Sequence, residues 1–172
     1  MKKILTALIF MISMNTIAQN THFDISKDPK GDGLIFKGLI TFEDLNKEPT
    51  FTWLKSGSDD YAPKEGWVTY LQNNLKRFSM VVFLGTWCDD SHYLIPKLEK
   101  VLRTIDYPKS LLTMYGVDRE KKTKNGEEKK YGITLVPTII VFDIDGKEVG
   151  RVTESVNKSI EEDIASFLSN RH

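Results

Sequence analysis

The chain has 172 residues, with 24 Lys and Arg balancing 24 Asp and Glu for a formal net charge of zero. That balance argues against nucleic acid and against a general membrane surface as partners. A single cysteine in the whole sequence excludes an internal disulfide, even in an oxidising compartment.

The chain opens on a leader. Lys2 and Lys3 form a positive n-region, Ile4 to Met14 an apolar stretch, and Thr16-Ile17-Ala18 place small residues at the −3 and −1 positions of a cleavage site. This is the pattern of a secretory signal peptide, too short to span a membrane. Cleavage is expected after Ala18, removing residues 1–18 and exporting 154 residues, most simply to a bacterial periplasm. Polar Asn15, Gln19 and Asn20 come too early for a membrane anchor, and Cys88 lies too far along to carry a lipid at a mature N-terminus. A chain of that size suits one domain with a full core.

Residues 19–33 are expected to be a flexible lead-in. Asn20 to Gly33 is polar and punctuated by Asp-Pro and Gly-Asp-Gly, so it reads as extended or disordered. A single domain over 34–172 follows. Leu34 to Ile40 reads as a strand, and Thr41 with an acid at Asp44 reads as the cap of a short helix. Phe51, Trp53 and Leu54 add apolar mass, with Trp53 and later Trp67 taken as core or rim aromatics. Ser56 to Asp60 reads as a loop. From Glu65, the residues Trp67, Tyr70, Leu71 and Leu75 keep helical spacing.

Ser79 to Leu84 has the apolar run of a strand buried on both faces. After Cys88, the residues Leu94, Leu98, Val101, Leu102 and Ile105 define an amphipathic helix. Leu111 to Val117 is another strand. Arg119 to Lys130 holds nine charged residues among twelve and is expected to be a solvated loop or helix end. Thr138 to Phe142 and Glu148 to Thr153 form a hairpin around Asp145-Gly146. Ser159-Ile160-Glu161-Glu162 reads as a capping box opening a last helix, with Ile160, Ile164, Phe167 and Leu168 along one side. The order of elements implies an α/β fold with a central mixed sheet and helices packed on its faces.

Three features together resemble the thioredoxin superfamily. Phe83-Leu84-Gly85-Thr86-Trp87-Cys88 delivers a Trp-Cys pair from a buried strand to a helix start. Pro96 falls eight residues past the Cys, where many thioredoxins carry a kinking proline, and Val136-Pro137-Thr138 looks like the family's cis-proline loop. The resemblance covers about Trp67 to Leu168, and "TWCDDSH" with "YGVDR" is similar to secreted bacterial members. It implies a thioredoxin-like three-layer α/β/α fold, here with an N-terminal extension. It implies Cys88 as the nucleophile. It also implies an extended substrate paired with the backbone of Val136, beside Trp87 and Pro137.

The chemistry of that position follows independently. A cysteine at a helix N-terminus meets unpaired N–H groups and the positive end of the dipole, worth about 0.3–1 kcal/mol toward the thiolate. Asp89 and Asp90 oppose it, each by about 0.7 kcal/mol at ~6 Å in nearly bulk water, so the two influences nearly cancel. Ser91 stands where thioredoxins place their second cysteine, giving Cys88-Asp89-Asp90-Ser91. An alcohol cannot release a mixed disulfide as a thiol does. Val82 stands where many thioredoxins bury an Asp. His92, four residues past the Cys, is read chiefly as a solvent-facing helix residue, with proton transfer near the thiol as the functional alternative. Cys88 and His92 are too few ligands for a metal, so no metal and no cofactor is expected.

Cys88, Ser91 and His92 are thus the residues assigned to the chemistry, and Trp87, Val136 and Pro137 those assigned to substrate binding. The leading function is monothiol thiol-disulfide exchange or reduction through a mixed disulfide at Cys88. The expected partners are disulfide-containing or thiol proteins, or low-molecular-weight thiols, acting on a monomer. The alternative is a redox-inactive binding module that grips extended peptides beside Pro137.

Overall fold

The computed structural model describes residues 22–169. The expected leader and its cleavage site lie outside the described residues. Strands β1 (Phe23–Lys27), β2 (Leu34–Ile40), β3 (Ser79–Leu84), β4 (Leu112–Gly116), β5 (Thr138–Phe142) and β6 (Glu148–Thr153) form one sheet in the order β1-β2-β4-β3-β5-β6. β3 and β4 run parallel, and the other neighbouring pairs are antiparallel. Helices α1 (Phe42–Lys47), α2 (Thr52–Asp59), α3 (Glu65–Asn74), α4 (Asp89–Thr104), α5 (Glu127–Tyr131) and α6 (Ile160–Ser169) cover both faces.

The central strand shows why the sheet is covered twice. Successive side chains of a strand point to opposite faces. Met80, Val82 and Leu84 therefore join the larger core, with Leu71 of α3, Leu75 just past its end, the apolar stripe of α4 and Ile164 of α6. Val81 and Phe83 point the other way, into a smaller cluster with Val117, Ile133, Val136 and Ile140. Burying each large apolar side chain contributes about 1.5–3 kcal/mol. A strand apolar on one face alone would strip the second cluster away. Val82 is fully buried in the larger core.

The expected three-layer α/β arrangement with a mixed sheet is what the chain adopts. Thr41 caps α1 with a reciprocal bond from Asp44. The hairpin between β5 and β6 turns on Gly146 at φ +76°, with the Asp143 carboxylate accepting from the Asp145 and Lys147 N–H groups. At α6 the Ser159 hydroxyl accepts from Glu162 N–H, but Asp163 is the side chain that reaches back, accepting from Asn157 and Lys158 N–H.

Three expectations are corrected. Residues 23–27 of the supposed flexible lead-in form edge strand β1, paired along its length with β2. The strand holds because Phe23 stacks on Phe36, ring centres 4.8 Å apart. Ser56 to Asp60 is not a loop, since α2 runs to Asp59 and packs on α4. Gly57 makes that packing close, because a Cβ there would sit 2.8 Å from Pro96 Cβ. The charged run 119–130 is less solvated than its composition suggests. Thr123 and Glu128 are buried in it, the carboxylate accepting from both the N–H and the hydroxyl of Thr123.

Candidate functional site around Cys88

β3 ends at Leu84 and the chain turns through Gly85 to Cys88, where α4 begins. The turn closes with Cys88 N–H donating to the Gly85 carbonyl at 3.0 Å. Cys88 is the N-cap of α4, with extended backbone and a side chain that makes no capping bond. Its half-buried sulfur instead donates to the Val136 carbonyl at 3.3 Å. Val136 precedes Pro137 across a cis peptide, so two segments 48 residues apart meet at the thiol. Among the described residues the Val136 N–H has no hydrogen-bond partner, whereas the Pro137 carbonyl is taken by Glu154 N–H at 2.8 Å.

Trp87 forms one wall. Its indole N–H donates to the Val117 carbonyl at 2.9 Å, which fixes the ring plane. Gly85 lets the ring lie on the loop, since a Cβ there would stand 2.7 Å from the indole. Thr86 ties the same loop to β2: its hydroxyl donates to the Leu34 carbonyl at 2.7 Å and accepts from Phe36 N–H at 3.1 Å.

Ser91 is fully buried, and its hydroxyl accepts from Gly85 N–H at 3.2 Å. It therefore braces the loop that carries Cys88. His92 is not the solvent-facing residue expected. It is half-buried, stacked on Trp53 at 4.4 Å, with Nε2 2.8 Å from the Thr86 carbonyl. A carbonyl only accepts, so Nε2 carries the hydrogen and Nδ1 is the nitrogen left open. Pro96 is buried in α4, and lacking an N–H it cannot complete the helical bond to the His92 carbonyl. Trp67, by contrast, is 37 % exposed on α3 and takes no part.

Sequence reasoning missed two further residues. Arg119, just past β4, places its guanidinium 4.8 Å from the Trp87 ring centre. Its Nε and Nη2 each donate at 2.6 Å to the carboxylate of Asp28 in the β1–β2 turn. Those bonds hold the Asp28 carboxyl down at about 2 despite desolvation, with Lys30 N–H assisting. The guanidinium is held charged chiefly by Asp28, and the fields of Cys88 and Asp89 add to that. A signal existed: parallel β3 and β4 end side by side, and ligands gather at the carboxyl ends of such strands.

Among the described residues no group of three or more His, Cys, Asp or Glu is arranged to hold a metal. A cleft lined by Phe42, Glu99, Arg103 and Tyr107 opens at the far end of α4 from Cys88 and shares none of these residues.

The sequence model of the thioredoxin family matches residues 60–169. No curated protein matches the chain. Among solved structures, it is similar to an HIV epitope-scaffold at 16 % identity and a TM-score of 0.50, over 74 % of this chain and 81 % of that one. It is also similar to a protein of unknown function from Pseudomonas aeruginosa at 15 % identity and a TM-score of 0.45. That match covers 64 % of each, so the chain spans less than two thirds of that protein's length. At 16 % identity the likeness to the scaffold is one of fold alone.

Proposed function

The chain belongs to the thioredoxin family, and from that membership we propose that it is an exported monothiol protein acting through Cys88. The observation that carries this reading is the half-exposed thiol at the N-terminus of α4, touching the carbonyl of Val136 beside the cis Pro137. In this reading an extended partner pairs with the open Val136 N–H and brings its disulfide to Cys88. The thiolate attacks one sulfur, the partner's S–S bond breaks, and the other sulfur leaves as a thiolate. Ser91 is buried and committed to Gly85, so release falls to an external thiol or to a second thiol on the partner. Partners are disulfide-containing or thiol proteins, or low-molecular-weight thiols, met after export directed by residues 1–18 and in the compartment where disulfides persist.

One observation favours a second reading. A fully buried Ser91 in place of a resolving thiol, together with the exposed Leu135 ahead of Val136, also suits a module that grips extended peptides without redox chemistry. Capture from an exported fraction separates the two. Partners of the thiol-exchange protein are released by reductant and are missing from Cys88→Ser, whereas partners of a binding module persist through both.

A further inference from the structure

Two cations lie over the Trp87 indole, next to Cys88. The Arg119 guanidinium is 4.8 Å and the Lys121 ammonium 5.7 Å from the ring centre. Arg119 does not swing freely, because its bidentate pair with Asp28 fixes the plane of the fork. The Asp28 side chain is only 5 % exposed, whereas that of Arg119 is 23 % exposed. Lys121 sits at φ +60° and forms no ion pair among the described residues. Asp89 and Asp90 are exposed in the first turn of α4 that follows Cys88, and the field of Asp89 reaches the Arg119 guanidinium.

Several nearby charges are engaged elsewhere, although Glu120, between the two cations in sequence, is exposed. Asp118 is paired with Lys37 at 2.6 Å and Lys124 with Asp24 at 2.7 Å. His92 is turned away to the Thr86 carbonyl. Cys88 therefore lies between cations held at the Trp87 indole and acids in the first turn of α4.

We propose that Arg119, seated by Asp28 and joined by Lys121, is the specificity-determining residue of the Cys88 site and selects disulfide partners with an acidic group next to the reacting sulfur. The proposal rests on the thiol-exchange reading of Cys88. Exchange itself needs no further reagent: the new S–S bond to Cys88 forms as the partner's own bond breaks, and the departing thiolate carries away the electron pair. Arg119 acts on approach, by the sign of its charge. Asp28 sets how much of that charge the partner meets.

The test compares the rates at which Cys88 forms mixed disulfides with three small alkyl disulfides, followed by intact mass. Dithiodiglycolate is dianionic, hydroxyethyl disulfide is neutral and cystamine is dicationic. Dividing by the neutral rate removes any general loss of reactivity. A unit charge about 7 Å from the reagent's charged group, in nearly bulk water, changes its rate about threefold. Arg119→Gln is therefore expected to lower the anionic ratio and raise the cationic ratio by that factor, and Asp28→Asn to shift both the opposite way. Lys121→Gln repeats the Arg119→Gln pattern without touching the buried pair, and added salt at about 0.5 M shrinks every shift. Ratios that stay constant in all three variants while Cys88 still reacts overturn the proposal and leave thiol exchange standing. Failure of the wild type to react with any of the disulfides overturns both.

Discussion

Cys88 Sγ donates to the Val136 carbonyl across 3.3 Å, so the only thiol of the chain rests against the segment just ahead of the cis proline. One contact joins the turn after the central strand to the segment that leads into β5. The surrounding loop is held from three sides, by Ser91 beneath, Thr86 toward β2 and Trp87 toward β4. The site is built rigid, and its chemistry is limited by what stands at position 91.

Ser91→Ala removes the acceptor of the Gly85 N–H in a fully buried position. An unpaired buried donor costs about 1–3 kcal/mol. Denaturant unfolding should show that loss, while mixed-disulfide formation at Cys88 persists in the folded fraction. An equal stability would mean that water or another acceptor serves the loop.

Ser91→Cys supplies a second thiol one helical turn from the first, on the same face. Reaction with oxidised glutathione should then pass beyond the adduct, closing an internal disulfide between Cys88 and the introduced thiol and freeing glutathione. Intact mass reads the difference. An adduct as long-lived as that of the wild type would show that the buried position cannot resolve it.

Gly85→Ala places a Cβ 2.7 Å from the Trp87 indole. The ring must move off the loop and lose its bond to Val117, at a cost of about 1–3 kcal/mol for overpacking. A changed indole fluorescence together with slower alkylation or exchange at Cys88 is expected. Unchanged emission would mean that the ring is not seated as described.

The Asp28 carboxyl titrates at about 2, below the ordinary 3.8, because Arg119 bonds its ionised form. A depressed carboxylate contributes stability that is present above its unfolded value and is lost as pH falls through the folded one. The stabilisation from the clasp between the β1–β2 turn and Arg119 should therefore be present at pH 5 and fall away below about pH 4, with the pair itself releasing around pH 2. A carboxyl-carbon NMR titration of Asp28 checks it, and a midpoint near 4 would remove the pair from solution.

Most of the frame was legible because periodicity alone specifies it. The alternation of Met80, Val82 and Leu84 against Val81 and Phe83, and the stripe on α4, follow from side-chain spacing. β1 was not legible, since its buried Phe23 is followed by four exposed residues and it depends on pairing with β2. α2 was hidden by Ser56-Gly57-Ser58, whose loop-like composition serves close packing on Pro96. At the site, Cys88, Trp87, Val136 and Pro137 meet as motif order suggested. Arg119 and Asp28 lie 91 residues apart, one in a charged run and one in a polar lead-in, and no local pattern links them. His92 was misread because helical spacing gives the side of a helix but not the stacking partner that Trp53 provides.

The most direct measurement is the intact mass of the native protein after incubation with oxidised glutathione, beside Cys88→Ser. One glutathione is expected on the wild type, none on Cys88→Ser, and release of the adduct only when an external thiol is added. A native wild type that remains unmodified would contradict thiol exchange at Cys88.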